Sequence, residues 1–294
     1  MTASVSVAPL DRPTLLGRGR WAQLRVLTRQ ELRLRVTGLW SLPPLLLAFG
    51  PAFLLLFIVV IKHLLGSRNP DQVIVGSLSD WRQAFAEVFH SLMLRVCVFF
   101  GCAAVFLNSF RSAVAGRYLH YSYLSPVRRE LVVAAKYLSG LIFTGVAFML
   151  GSLAMWTTAH LDGPLSETLP ALLSAQGLRL GLTYAGIGLL GCVGYGAVFL
   201  ALGLRFKNPI FPTLFLMVWE SINLFLPAGL QKLSIIHYLQ ALGPIPAKTQ
   251  LISVVASPTP APLAIIGLLL ITLGLLWLSM RWARGMELDY GSDD

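Results

Sequence analysis

Long apolar runs separated by polar connections occupy most of this chain, and the pattern predicts membrane-spanning helices. A helix needs about 20 mostly apolar residues to cross roughly 30 Å of hydrocarbon. Runs that meet or approach this length lie at residues 39–61, 88–110, 131–159, 180–204, 210–226 and 261–280. We therefore predict an all-α integral membrane protein with one six-span transmembrane domain over residues 38–281.

The remaining segments are predicted to lie outside these spans. Residues 1–37 form an N-terminal segment, residues 111–130 connect the second span to the third, and residues 282–294 form a tail. Residues 227–260 are apolar in places but are interrupted by several prolines. Because the apolar stretches between these prolines are too short to span, we expect short re-entrant helices on the external side.

The composition supports a membrane protein and changes the meaning of its charge. Hydrophobic residues make up 56% of the chain, charged residues only 12%, and the mean hydropathy is +0.72. Soluble domains carry about 25% charged residues. The net charge of +10 is therefore expected to reflect the Lys and Arg residues of cytoplasmic loops, and no nucleic-acid partner is predicted.

The distribution of basic residues predicts the orientation of the chain. Seven arginines precede the first span: Arg12, Arg18, Arg20, Arg25, Arg29, Arg33 and Arg35. The second-to-third connection is also rich in Arg, and the end of the last span and the tail add Arg281 and Arg284, whereas residues 160–176 contain no Lys or Arg. By the positive-inside rule, the N-terminus, the 111–130 connection and the C-terminus are cytoplasmic.

Residues 21–36 predict an amphipathic helix just before the first span. Trp21 begins it, and Arg25, Arg29 and Arg33 recur at four-residue spacing to form one basic stripe. Such a helix rests at the headgroup boundary of a bilayer, with its arginines reaching lipid phosphates. A calmodulin-type target helix or a nucleic-acid-binding arm has a similar charge pattern, and these interpretations stay open.

Two ionisable residues fall at membrane depth, Arg95 in the second span and Glu220 in the fifth. A lone charge there is costly, so a partner or water is expected. Helical rise puts the two residues at similar depths, and we predict an Arg95–Glu220 pair that joins the two spans. Alternatively, Arg95 reaches the interface alone and Glu220 is a protonated packing residue or a substrate contact.

The 111–130 connection is unusually aromatic as well as basic. It contains Tyr118, Tyr121 and Tyr123, together with basic residues at Arg117, Arg128 and Arg129. Ser125 followed by Pro126 is a typical helix start. On these residues alone, the segment is either a docking surface or a turn whose charges only fix the topology.

The run Leu124-Ser125-Pro126-Val127-Arg128 resembles a turn that precedes the third span in permeases of the type-2 ABC exporter family. The order of features is also similar, with a surface helix, six spans and a longer external segment before the last span. This resemblance implies an ATP-driven exporter whose permease works with two copies of a separate ATPase subunit and a second, identical permease chain. It also implies a bacterial cytoplasmic membrane as the location. The residues implied to couple the permease to the ATPase are Arg117, Tyr118, Tyr121, Tyr123, Ser125, Pro126, Arg128 and Arg129.

No catalytic motif is recognisable in the chain. It lacks a GxxxxGK[ST] phosphate loop, HExxH and GxSxG, and its histidines and cysteines are dispersed. We therefore expect no enzymatic activity, no metal and no cofactor in this chain, with ATP and Mg bound by the partner. A secondary transporter or channel, or a non-transporting membrane scaffold, stays an alternative, and the sequence does not identify a substrate.

Overall fold

The structure is a computed structural model, and it describes residues 19–38, 41–66, 78–109, 129–161, 165–206, 208–245 and 260–285. These parts of the chain are helical and contain no strand. Five helices are long and apolar enough to cross a membrane, as expected of a multi-pass membrane protein.

The first of these helices is preceded by a surface helix, α1 (Arg20–Thr37). Helix α2 (Leu42–Gly66) begins close behind it and contains Pro51. The second spanning helix is built from α3 (Leu78–Val88), a π-helical segment (Phe89–Val98) and α4 (Phe99–Phe106). The third is α5 (Arg129–His160), and the short α6 (Leu165–Leu173) links it to the fourth, α7 (Ala175–Arg205). The last is α11 (Ala261–Arg284).

The predicted fifth span differs most from the expectation. Residues 210–226 form a 12-residue helix, α8 (Ile210–Ser221), followed by a 3₁₀ turn (Asn223–Phe225). At 1.5 Å per residue, α8 is only about 18 Å long. Two short helices follow it, α9 (Ala228–Gln231) and α10 (Ile235–Ala241). We call residues 222–245 the hairpin segment.

The contacts define two ends of the helix bundle. Arg129, which begins α5, donates a hydrogen bond of 3.3 Å to the backbone oxygen of Arg284, which ends α11. Helix α1 contacts the same end of α5, and the end of α7 packs there against the backbone of Leu107. We call this end the base, and the opposite end, where α5 finishes and α7 starts, the top.

Small residues let α7 pack closely against its neighbours. An added Cβ at Gly181 would lie 2.8 Å from the Trp156 ring, and one at Gly196 would lie 2.8 Å from the Phe106 ring. The side chains thus fill the space that the glycines leave. Cys97, Cys102 and Cys192 are buried among these helices as packing residues.

The π-helical segment changes which residues of the second spanning helix face the core. Its buried residues occur in pairs every four positions: Phe89, His90, Met93, Leu94, Cys97 and Val98. A π-helix is wider than an α-helix, and such segments are frequent at functional sites. Arg95 directly follows one of the buried pairs and is itself only partly buried.

Candidate functional site

Most of the predicted coupling residues lie outside the described part of the chain. These are Arg117, Tyr118, Tyr121, Tyr123, Ser125, Pro126 and Arg128. The structure does describe both flanks of this segment, which end at Ser109 and begin again at Arg129. Both flanks lie at the base, so the base is the part of the predicted site that the structure shows.

The helix predicted over residues 21–36 is present as α1, and its basic stripe is exposed. Arg25, Arg29 and Arg33 are exposed along α1, and Trp21 is 83% exposed. Leu24 and Leu27 are partly buried, but Leu34 is 64% exposed. The residue that attaches α1 to the bundle is instead Arg35, which the sequence pattern did not distinguish from the other arginines.

Arg35 binds three groups on two spanning helices. Its Nη2 donates to the Ser109 hydroxyl at 2.8 Å, its Nη1 to the Val105 backbone oxygen at 3.2 Å, and its Nε to the Ser139 hydroxyl at 3.2 Å. Burial lowers the pKa of the Arg35 guanidinium from its ordinary value, and the nearby Glu31 carboxylate opposes this shift. The three acceptors offset the loss of water around the guanidinium.

A buried ion pair lies beside Arg35. The Lys136 ammonium, with only 6% of its side chain exposed, lies 2.8 Å from Oε1 of Glu31 in α1. Lys136 also donates to the backbone oxygen of Ser109 at 2.9 Å. We call Glu31, Arg35, Ser109, Lys136 and Ser139 the base cluster. It joins α1 to α5 and to the end of the second spanning helix.

The base cluster was missed at the level of sequence because its members are far apart along the chain. Lys136 follows Glu31 by 105 positions and Ser109 by 27. The available signal was the position of Lys136 inside an apolar run, since a charge at that depth requires a partner.

Glu220, the second predicted intramembrane charge, is buried and accepts four hydrogen bonds. Its carboxylate oxygens receive the Ser234 hydroxyl at 2.6 Å and the Tyr195 hydroxyl at 3.2 Å. They also receive the backbone N–H groups of Ile235 at 3.2 Å and Ile236 at 3.1 Å. The first amides of a helix lack intrahelical partners, and an anion there is favourable. Glu220 therefore joins α8 to α7 and to the start of α10.

Arg95 and Glu220 do not form a direct ion pair. Within the described residues, the ion pairs are Lys136–Glu31 and Arg284–Glu130, and the donors to Glu220 do not include Arg95. Similar depth along two helices did not lead to contact because the hairpin segment supplies the donors to Glu220. Sequence reasoning did not anticipate this folding-back of residues 234–236 onto α8.

A group of buried aromatic side chains with unpaired polar atoms lies near the top. Its four members are His90, Trp156, His160 and Tyr184, which are at most 6% exposed. Within the described chain, both ring nitrogens of His90, Nε1 of Trp156, Nε2 of His160 and the Tyr184 hydroxyl have no hydrogen-bond partner. We call these four residues the top cluster. The histidines are dispersed along the sequence, which gives no sign of this grouping.

No protein-family model, curated protein or solved structure matches the chain. The helices define the class instead, a multi-pass helical membrane protein. In the described residues, no group of three His, Cys, Asp or Glu side chains is arranged to hold a metal ion.

Proposed function

We propose that this chain is the permease subunit of an ATP-driven exporter of the type-2 ABC family, coupled to two copies of a separate ATPase subunit. The observation that carries the proposal is the base cluster, because it lies where the 111–130 segment leaves the second spanning helix. Ser109 is the last described residue before that segment and is bound by both Arg35 and Lys136.

The base cluster gives a physical route for coupling. A force on the 111–130 segment reaches Ser109, and through Arg35 and Lys136 it reaches α1 and α5 together. Buried ionic hydrogen bonds are short and shielded from water. They therefore hold a fixed geometry better than exposed ones. A movement of the bound ATPase would thus displace the surface helix and two spanning helices as one unit.

The proposal includes a sixth crossing of the membrane. Helix α7 ends at the base and α11 begins at the top, so the chain between Arg205 and Ala261 passes from one end to the other. Helix α8 is too short to do this alone. We propose that α8 and the hairpin segment together complete the crossing, with both termini on the cytoplasmic side.

A second copy of the chain completes the proposed transporter. Large apolar side chains on α2, α8 and α11 are exposed in the single chain, as a lipid-facing or chain-facing surface requires. The mass of the intact complex would then correspond to two permease and two ATPase subunits.

The test is purification in mild detergent followed by mass spectrometry of the proteins that accompany the chain. We expect a P-loop ATPase with the native chain and its loss from the Tyr121→Ala, Arg128→Glu double variant. The matched control is Trp277→Ala with Arg281→Glu, which removes an aromatic–arginine pair of 5.6 Å elsewhere on the chain. Retention of the ATPase by the double variant would contradict the assigned docking segment. A native chain without any ATPase would favour a secondary transporter, a channel or a scaffold.

A further inference from the structure

The top cluster is a continuous row of aromatic side chains. Ring centroids are separated by 6.4 Å from His90 to Tyr184, 6.1 Å from Tyr184 to Trp156 and 4.4 Å from Trp156 to His160. Phe85 closes one side, with its centroid 4.9 Å from Trp156 and 4.8 Å from Tyr184. Three spanning helices thus place four polar side chains within one buried neighbourhood.

The unpaired atoms of this row are unusual for a protein interior. Nearly all buried polar groups are hydrogen-bonded, and each exception calls for an explanation such as a ligand or a functional role. A Phe side chain would fill nearly the same space as Tyr184 without leaving a polar atom unsatisfied. The polar atoms therefore cost stability in this conformation.

The chemistry of the row is that of hydrogen-bond donation beside positive charge. The Trp156 indole donates only, and Tyr184 and a neutral His90 each have one O–H or N–H to donate. The one N–H of a neutral His160 is on Nδ1 and donates to the Trp156 backbone oxygen at 2.9 Å, so its Nε2 can only accept. The Nε of Arg82, another donor, is also buried without a partner among the described residues. Arg82 acts electrostatically on His160, and Arg95 acts on His90.

The one nearby acid with an unpaired buried oxygen, Glu87, does not belong to the row. At 100° per residue it lies about 160° around α3 from Phe85, which faces Trp156 and Tyr184. No carboxylate of the described chain is hydrogen-bonded to the four residues. A ligand that satisfies the donors of His90, Trp156 and Tyr184 must accept hydrogen bonds, and the two arginines favour an anion.

The end of the hairpin segment covers the row. A Cβ added at Gly243 would lie 2.5 Å from His90 Nε2, so the backbone of Gly243 rests directly on the imidazole. The Tyr184 hydroxyl approaches the backbone of Ile245 without a well-formed hydrogen bond. Displacement of residues 243–245 would therefore uncover both side chains.

We propose that the top cluster binds the oxyanion headgroup, phosphate or carboxylate, of an amphiphile when residues 243–245 move away. His90, Trp156 and Tyr184 donate hydrogen bonds to its oxygens, while Arg82 and Arg95 supply positive charge. This inference rests on the transport part of the proposed function. It adds a chemical class for the transported molecule and a binding site for it near the top.

The experiment uses the full chain in lipid nanodiscs with two photoactivatable probes of identical acyl chains. One probe is a phosphatidic acid and the other is an uncharged diacylglycerol. Mass spectrometry of peptides would quantify labelling of residues 82–95 and 152–160. Labelling of residues 263–277, on the exposed side of α11, serves as the internal reference for contact with bulk lipid.

We expect Gly243→Ala to increase phosphatidic acid labelling of the top cluster several-fold, because the methyl group displaces the covering turn. Gly229→Ala is the matched control from the hairpin segment, since an added Cβ there meets nothing within 4 Å. In the Gly243→Ala background, Trp156→Phe and Tyr184→Phe each remove a donor and should reduce labelling about tenfold. Arg82→Gln should remove the preference for phosphatidic acid over diacylglycerol.

Three results would overturn the inference. Labelling by both probes in equal amounts would exclude an anionic ligand. Competition by inorganic phosphate would show a free anion in place of a headgroup. Unchanged labelling in Trp156→Phe and Tyr184→Phe would show that the unpaired atoms do not bind a ligand. Thermal unfolding of both variants checks that they are folded. None of these measurements involves an ATPase, so their failure is distinct from failure of the proposed coupling.

Discussion

Polar side chains at the base of the bundle have hydrogen-bond partners, whereas several of those at the top do not. At the base, Arg35 and Lys136 donate to defined acceptors on α1, α5 and the second spanning helix, at 2.8 to 3.2 Å. At the top, His90, Trp156, His160 and Tyr184 are buried more deeply than Arg35, but the atoms named above have no partner among the described residues. The base cluster is therefore satisfied in the present conformation, whereas the top cluster is not.

This difference indicates which end is suited to change during the proposed transport cycle. A satisfied ionic cluster resists rearrangement, because breaking it leaves charges without partners. Unpaired groups gain hydrogen bonds when water or a ligand reaches them, which favours an opened conformation. We infer that the base moves as a rigid unit and that the top opens.

The largest effect is expected from Lys136→Met, which breaks the base cluster. The Glu31 carboxylate and the Ser109 backbone oxygen each lose a donor, and the free energy of unfolding should fall by about 2–4 kcal/mol. This loss is toward the lower end of the range for broken buried ion pairs, because the Glu31 side chain is 27% exposed. Thermal unfolding in detergent measures the change.

The control for this variant is Lys232→Met, which removes an exposed ammonium from the hairpin segment and should change stability little. The double variant Lys136→Met, Glu31→Leu should recover most of the loss, since no carboxylate is then left unpaired. Equal losses of unfolding free energy in Lys136→Met and Lys232→Met would show that the base cluster does not stabilise the fold.

A smaller loss, about 1.5–3 kcal/mol, is expected from Glu220→Gln. The amide has one acceptor oxygen for four donors, so the start of α10 loses its anionic partner. The hairpin segment should then open more often, and tryptic cleavage after the exposed Lys232 should become faster. Tyr195→Phe removes only the 3.2 Å hydroxyl contact and should have a weaker effect. Unchanged cleavage in Glu220→Gln would mean that other contacts hold the segment.

Gly243→Ala is expected to destabilise the protein by about 1–3 kcal/mol, because the added methyl group collides with the His90 ring. Gly229→Ala should have the opposite sign, with a gain of up to about 1 kcal/mol, since it lies in α9 with open space around it. Unfolding midpoints of the two variants, measured side by side, give the difference. If both variants shift in the same direction, residues 243–245 do not rest on the top cluster as described.

The smallest expected effect is a difference in stability between Phe variants of two buried tyrosines. The Tyr137 hydroxyl donates to the Val193 backbone oxygen at 2.9 Å, so Tyr137→Phe should cost about 1 kcal/mol. Tyr184→Phe removes an unpaired hydroxyl and should be neutral or stabilising by up to about 1 kcal/mol. A loss in Tyr184→Phe as large as that in Tyr137→Phe would show that the Tyr184 hydroxyl is satisfied in the folded protein, and the contrast between the two ends would disappear.

Hydrophobic periodicity and length were sufficient to predict the helical membrane class. Runs such as residues 131–159 and 180–204 coincide closely with α5 and α7, because a lipid-spanning helix needs only a local signal of apolar length. Residues 210–226 misled the prediction of a continuous fifth span. That run is mostly apolar and Glu220 is its one charged residue, but the chain turns after Ser221 so that Ser234, Ile235 and Ile236 can bind this carboxylate.

The sequence by itself determined that the chain is helical, that it is built for lipid, and that its embedded charges need partners. Only the tertiary structure decided which partners they have, since Glu31, Ser109 and Lys136 meet from three separate helices. The same holds for Glu220, where the expected Arg95 gives way to Tyr195, Ser234 and two backbone amides. The physical reason is that burial and periodicity are local properties of a sequence, whereas hydrogen-bond pairing depends on how distant helices pack and rotate against one another.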